Sequence, residues 1–239
     1  MPNTDGLLII LGNQKIFIQA GILNWLILCL IMVVFFVVMG AKFKKADPKV
    51  PPKGILLLCE IVADLAKSII GGNLKQETGN YLPFFGTLIF MMAISNISGL
   101  LGIQAPTSNL SLILTLSLTM FVLIQFTGLK QKGLKGRIAD MCDPHWLLSP
   151  LNVIGDAVLP LSLTLRLFGN MLAGTIIITL IYGMMTIVLQ WFAPLGFLFY
   201  VVTPFFHAYF DVFSGLIQTY IFFMLSSFFL SQQITSIEE

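Results

Sequence analysis

Charged residues are scarce in this chain. Of its 239 residues, 10% are Asp, Glu, Lys or Arg and 57% are hydrophobic, whereas a soluble domain typically carries about 25% charged residues. The mean hydropathy of +0.93 agrees with that imbalance. Several apolar stretches reach the ~20 residues that cross a hydrocarbon core about 30 Å thick. The composition therefore predicts a polytopic membrane protein, and the small net charge of +2 gives no basic stripe for nucleic acid.

Sequence patterns for covalent chemistry are also missing. The chain has no nucleotide-binding loop, no zinc-ligand spacing and no Ser/His/Asp or Cys/His constellation. Its three cysteines, Cys29, Cys59 and Cys142, fit neither a disulfide framework nor a metal site. We therefore predict no cofactor and no metal, and we expect no catalysis by this chain alone. The first apolar patch, Leu7 to Leu11, is too short for a cleavable signal peptide.

Nine of the thirteen basic residues form two clusters, and these predict the topology. One cluster follows a first span over 21–40, and the other follows a span over 110–128. If the segment 54–70 lies flat in the interface, both clusters fall on one side, as the positive-inside rule prefers for the cytoplasm. This places the N-terminus, 1–20, outside and the C-terminus in the cytoplasm. The clusters are Lys42, Lys44, Lys45, Lys49 and Lys53, and Lys130, Lys132, Lys135 and Arg137.

The segment 54–70 has the pattern of an interfacial helix. Its polar residues Glu60, Asp64 and Lys67 fall at i, i+4 and i+7, which is one face of a helix whose other positions are apolar. We expect Gly71 and Gly72 to end this helix.

The remaining segments complete an all-α, single-domain membrane architecture of about five membrane helices plus the interfacial helix. A span over 83–103 precedes the one over 110–128, and 129–147 forms a basic cytoplasmic loop. The last two segments, 150–190 and 195–235, are too long for upright crossing, because about 40 residues of helix measure about 60 Å. We predict that they form a strongly tilted antiparallel hairpin with its turn near Gln190 to Pro194.

Three formally charged residues remain between Leu147 and Ile237, namely Asp156, Arg166 and Asp211. A charge at the centre of a membrane helix costs roughly 2.5–3.5 kcal/mol on insertion scales, so such residues face protein or a water-filled cavity. For Arg166, one interpretation is a buried salt bridge to Asp156 or Asp211. The other is a functional cation.

The neighbours of Arg166 favour a close-packed face. Asn170 and Ala173 lie at i+4 and i+7 from Arg166, and Gly169 with Ala173 is a small-xxx-small pair, which lets another helix come near.

A polar stripe marks the last helix. His207, Asp211, Ser214 and Gln218 fall at i, i+4, i+7 and i+11. Each alone could be a packed histidine or interhelical hydrogen-bonding residue, but together they predict the wall of an aqueous path. Asn96, in the 83–103 span, is a weaker candidate for that path, with packing an equal interpretation. Asp156, near the inner end of its helix, could also lie at the headgroups.

Four stretches resemble one known family. The run from Leu163 to Gly174, LTLRLFGNMLAG, closely resembles the signature helix of the a subunit of bacterial F-type ATP synthases. Ser95 to Leu100 is similar to its asparagine-bearing span, Pro106 to Leu116 to its Pro-Thr turn, and Gln218 to Phe222 to its last helix. The resemblance covers nearly the whole chain.

This resemblance implies a stator that abuts a rotating ring of c subunits, each with one carboxylate, and two aqueous half-channels that reach the ring. It implies a place in the ATP synthase complex of a bacterial plasma membrane, beside the b subunits of the peripheral stalk. The ring carboxylate binds the ion, so this chain leaves H⁺ and Na⁺ open, and we predict H⁺. Arg166 matches the essential arginine, Asn170 its polar neighbour, Gln218 the glutamine of the last helix and Asp156 an acidic position.

The chain departs from some members of the family in two places. Thr175 follows Gly174 where some members have a glutamate, and Asp211 stands where they have a histidine. Asp211 is therefore expected to serve the outer half-channel, whereas His207, one turn away, does not match the usual histidine position. The alternatives are a secondary transporter or channel that uses Arg166 as a substrate or gating charge, and a scaffold that transports nothing.

Overall fold

The chain folds into a bundle of long helices in the computed structural model, which describes residues 6–11, 14–45, 51–101, 105–142, 145–191 and 196–234. The predicted all-α class is confirmed for the body of the chain. The helices are α1 (Ala20–Lys45), α2 (Ile55–Leu74), α3 (Thr78–Ile97), α4 (Leu110–Cys142), α5 (Ser149–Trp191), α6 (Gly196–His207) and α7 (Gly215–Gln233).

A short β-hairpin precedes the helices. Strands β1 (Gly6–Leu11) and β2 (Gln14–Gln19) pair antiparallel, with Gly6 opposite Gln19 and Leu11 opposite Gln14. The prediction for 1–20 contained no strand. The isoleucines on these two segments favour extended backbone, because β-branched residues are enriched in strands.

Four described helical segments are long and apolar enough to cross a membrane, namely α1, α4, α5 and the stretch Val201–Gln233. This agrees with a polytopic protein. Helix α3, which begins five residues before the predicted 83–103 span, is not among the four, so five crossings remain a prediction. Helix α2 is not among them either, and its interfacial placement remains a prediction.

Helix α2 does not end at its two glycines. It continues through Gly71 and Gly72 to Leu74, so the expected glycine stop is wrong. Asn73 explains the extension, because its Nδ2 donates to Met224 O and Ser227 Oγ of α7, at 3.1 and 2.8 Å. Tertiary contacts override local propensity here.

Helices α2, α3 and α7 share the central core. Ala66 and Ile70 of α2 are fully buried against it, while the predicted polar face of α2 is exposed. Phe85 of α3 and Phe223 of α7 meet edge to face, with ring centroids 6.1 Å apart. Such aromatic pairs add about 0.5–1.5 kcal/mol of stability beyond the burial of apolar surface. With Ala66 and Ile70 buried, the amphipathic helix α2 is also packed against the bundle.

Helix α4 is broken in its C-terminal part. Gly133 has φ 68° and ψ 173°, a conformation that glycine adopts without the penalty of a side chain. A second helical piece follows as far as Cys142. The segment predicted as a basic cytoplasmic loop, 129–147, is therefore helical as far as Cys142, and the chain turns back against the bundle there. Its cytoplasmic location remains a prediction.

The long terminal hairpin has the expected extent. Helix α5 has 43 residues, about 65 Å at 1.5 Å per residue, and α6, a π-helical segment (Ala208–Ser214) and α7 return beside it. The predicted turn falls largely on 192–195, outside the described residues. The tilt of this hairpin in a bilayer remains a prediction.

Candidate functional site

Helix α5 buries one side and leaves the other uncovered. Leu163, Thr164 and Leu167 are almost fully buried in the bundle, whereas Arg166 and Asn170 are exposed. In a membrane helix, exposure means that this chain itself does not cover the side chain. A guanidinium facing lipid at this depth is too costly, so the Arg166 side of α5 requires a partner.

Arg166 has no ion-pair partner among the side chains that the structure describes. The two ion pairs in that set are Lys132–Asp140 and Arg137–Asp156. The alternative in which Asp156 holds Arg166 in a buried salt bridge is therefore wrong, because Arg137 occupies that carboxylate. Whether Asp211 pairs with Arg166 is a matter of its side chain, and the structure describes only the backbone of Asp211, in the π-helical segment.

Small residues flank Arg166 on its open side. A Cβ placed on Gly169 meets nothing within 4 Å, whereas one on Gly174 lies 3.4 Å from Cδ1 of Phe210. The two glycines therefore have different roles. Gly174 lets the returning chain pack against α5, and Gly169, with the exposed Ala173, leaves room beside Arg166 for a helix from another subunit.

Asp156 lies in a polar cluster on α5, ten residues before Arg166. Its Oδ2 accepts from Arg137 Nη2 at 2.5 Å and from Gln125 Nε2 at 3.3 Å. Arg137 also donates to Gln125 Oε1 at 2.8 Å and to Gln233 Oε1 at 2.7 Å. A cavity of about 460 Å³ opens beside these groups, between α4, α5 and α7. The predicted inner-path acid thus lines a polar cavity.

Asn96 is enclosed in a hydrogen-bonded network. Its Nδ2 donates to Gly215 O at 2.8 Å and to Thr219 Oγ1 at 2.9 Å, and its Oδ1 accepts from Thr107 Oγ1 at 2.7 Å. The residue is 1% exposed. With its amide bonded to three partners in the chain, Asn96 joins α3, the Pro106–Ser108 turn and α7, which favours the packing interpretation.

The predicted stripe on the last helix does not form one uniform face. Residues Ala208–Ser214 are π-helical, so i→i+5 bonding replaces the α-helical register that the prediction assumed. The hydroxyl of Tyr182 on α5 lies 2.9 Å from His207 Nε2. Ser214 is half-buried. Gln218 is 9% exposed, and its Oε1 has no hydrogen-bond partner among the described atoms.

Sequence reasoning missed Arg137, Gln125, Gln233 and Tyr182. A signal for Arg137 was available, because only two of the thirteen basic residues are arginine, Arg137 and Arg166. Arginine differs from lysine in presenting a rigid fork of five donors. Among the described residues, no group of three or more His, Cys, Asp and Glu side chains could hold a metal ion.

Comparison with known proteins decides the family. A family model described as ATP synthase A chain matches residues 22–231. The chain belongs to the ATP synthase A chain family. It is 32% identical over 219 residues to ATP synthase subunit a of Staphylococcus aureus strain JH9, covering 87% of this chain and 89% of the relative. It is 31% identical over 220 residues to that of Oceanobacillus iheyensis, covering 88% of each. Identity to ATP synthase subunit a 2 of Bradyrhizobium sp. strain BTAi1 is 27% over 237 residues, covering 99% of this chain and 97% of the relative.

Membership in the ATP synthase A chain family makes this chain a multi-pass membrane component of an F-type ATP synthase of bacterial type. Its function is ion translocation in the membrane sector of that complex. Neither the family match nor the relatives favour a secondary transporter or channel.

Proposed function

We propose that this chain is the stator that passes H⁺ to and from a rotating ring of c subunits, with Arg166 as the fixed charge at the contact. The observation that supports this is the exposure of Arg166 on α5 without a partner among the described side chains. The face beside Gly169 and Ala173 has room for a ring helix. A charge so placed in a membrane faces protein or a water-filled cavity, and in this scheme a ring carboxylate supplies its counterpart.

Arg166 acts in this scheme by attraction and not by relay. Arginine stays protonated in proteins, so it cannot carry the proton, but a fixed cation favours the ionised form of an approaching carboxylic acid. A ring carboxyl that nears Arg166 loses its proton to one half-channel, passes the guanidinium as an anion, and takes a proton from the other half-channel. The same positive charge repels cations and so prevents a leak between the channels.

The two half-channels are assigned to two acids. Asp211, on the helix that enters from outside, serves the outer path, and Asp156, near the inner end of α5, serves the inner path. We place Asn170, Ser214, Gln218 and His207 along these routes. Asn96 supports them by holding α7 in place through the bonds described above.

The assembly follows from this role. The partners are the c ring, the b subunits of the peripheral stalk and the surrounding lipid. The chain itself makes or breaks no covalent bond. It lies in the bacterial plasma membrane with its N-terminus outside and its C-terminus in the cytoplasm, because both lysine clusters then face the cytoplasm.

Gentle purification from membranes tests the stator against a self-contained transporter. We expect the chain to co-purify with a ring of small hairpin subunits and an ATPase head, and the isolated chain in vesicles to give no ion flux. Flux through the isolated chain, with no ring bound to it in the membrane, would mean that the transporter is the correct assignment.

Removing the carboxylate of Asp211 should slow ion entry from the outside. An Asp211→Asn variant keeps the size of the side chain and loses its charge, and positioned acids of this kind contribute about 10²–10⁴-fold to proton transfer. We expect ATP synthesis driven by an imposed gradient to fall by at least about tenfold. The measurement is ATP synthesis by the reconstituted complex at several external pH values. If the rate of ATP synthesis were unchanged at every pH, Asp211 would have only a structural role.

A further inference from the structure

A cluster centred on Arg137 ties three helices together at the inner end of the bundle. Arg137 is 6% exposed, although its segment is rich in lysine. Its guanidinium reaches Gln125 in the spanning part of α4, Asp156 on α5 and Gln233 at the end of α7. An arginine fork suits this task because its donors are held in one plane.

The break at Gly133 brings Arg137 to this position. In an unbroken helix, Gln125 and Arg137 would be about 18 Å apart along the axis, yet their polar atoms meet at 2.8 Å. The end of α7 fits closely as well, since a Cβ on Gly128 would lie 2.8 Å from Gln233 Oε1. The backbone conformation at Gly133 and the absence of a side chain at Gly128 thus both favour the cluster centred on Arg137.

Asp156 is held by one oxygen only. Oδ2 accepts from Arg137 and Gln125, while Oδ1 has no bonding partner among the described residues. The Asp156 side chain is 33% exposed and lines the 460 Å³ cavity. Asp140, the other acid of that cavity, is paired with Lys132 at 2.7 Å. One carboxylate oxygen of Asp156 is therefore fixed, and the other is left for solvent in the cavity.

The cavity itself is suited to water. Arg137 Nε is buried without a partner among the described atoms, and an unsatisfied buried donor costs about 1–3 kcal/mol. A polar space of this size has room for water molecules that could bond to it. Asp156 and Arg166, ten residues apart on α5, are about 15 Å apart along the axis, so the cavity lies well toward the inner side of the Arg166 face.

We propose that Arg137 is a positioning residue of the inner ion path, which holds the Asp156 carboxylate at the wall of the cavity between α4, α5 and α7. The inference rests on the proposed function, because it gives Arg137 a task in ion translocation. Arg137 touches neither the ring nor Arg166. It acts through Asp156 by fixing Oδ2 and leaving Oδ1 to exchange protons with the cavity.

Non-additivity in a double variant tests this role. The measurement is passive H⁺ flux through vesicles that contain the membrane sector, prepared by removing the ATPase head from the reconstituted complex, and expressed per assembled complex. We expect Arg137→Gln and Asp156→Asn each to lower flux about tenfold or more, because a misplacement near 1 Å can cost about 100-fold. The double variant should conduct within about twofold of Asp156→Asn, since residues that act as a unit are not additive.

The controls separate positioning from folding. Lys135→Gln removes an exposed cation of the same segment and should leave flux unchanged. If Arg137→Gln fails to assemble, Arg137→Lys, which keeps the charge but loses the fork, replaces it in the same comparison. A further loss of flux when the Arg137 change is added to Asp156→Asn, or normal flux in either single variant, would overturn the inference. Normal ATP synthesis driven by an imposed gradient in Arg166→Ala would overturn the proposed function instead.

Discussion

Replacing Arg166 by alanine should abolish ATP synthesis driven by an ion gradient. The variant removes the single cation on the exposed side of α5, where nothing in the described chain replaces it. At an effective dielectric constant of 20, two opposite charges 4 Å apart attract by about 4 kcal/mol. Without that attraction, a ring carboxyl stays protonated between the half-channels. The barrier to a direct leak of ions between the half-channels is also lost.

The size of that attraction suits a contact that forms and breaks during rotation. A membrane potential of 100 mV supplies about 2.3 kcal/mol per elementary charge. The attraction is of the same order, so Arg166 can hold a carboxylate briefly without trapping the ring. An Arg166→Lys variant should keep partial coupling, because lysine preserves the charge but not the fork of donors.

The measurement is ATP synthesis and ATP-driven pumping by the reconstituted complex, normalised to the amount of assembled enzyme. Lys130→Ala serves as the matched control, since it removes an exposed cation from α4. We expect the control to behave as the unaltered complex. If Arg166→Ala synthesised ATP from an ion gradient at the normal rate, Arg166 would have no role in the proposed mechanism.

Replacing Gly169 by leucine should disrupt the same contact by steric means. A Cβ at this position has no atom of the described residues within 4 Å, so the added side chain starts in open space. The fold of the subunit should therefore tolerate it, and leucine has a better helix propensity than glycine, which is about 0.8–1.0 kcal/mol less favourable than alanine. A ring helix that packs closely beside Arg166, however, would be pushed away by the leucine.

The effect of this displacement on transport should be large. Positioning errors of about 1 Å can reduce a rate about 100-fold, and the attraction between Arg166 and a ring carboxylate falls as they separate. We expect coupled ATP synthesis to fall by at least about tenfold, with the isolated subunit as thermally stable as before.

Gly40→Leu is the matched control for this steric change. Gly40 is also an exposed helical glycine with an open Cβ position, but it lies on α1. It should leave coupled synthesis unchanged. If Gly169→Leu synthesised ATP at the normal rate, the Gly169 side of α5 would not be the face that meets the ring.

Much of the path was predictable from single residues because membranes make charge expensive. Arg166 and Asp156 stood out as rare charges in apolar sequence, and the structure places one on an open face and the other at a polar cavity. The stripe from His207 to Gln218 was less predictable. It depends on helical register, and the π-helical segment Ala208–Ser214 changes that register in a way that no residue pattern announced.

The sequence by itself determined the class of protein, the extent of the long terminal hairpin and the residue that marks the family. These follow from apolar run length and from the cost of burying charge, which are local properties. Only the tertiary structure decided which groups meet. Arg137 pairs with Asp156 because Gly133 reverses the chain, and Asn96 bonds to α7 because Gly215 has no side chain to keep the helices apart. Such pairings depend on contacts between residues up to 123 positions apart, and these contacts form only in the folded chain.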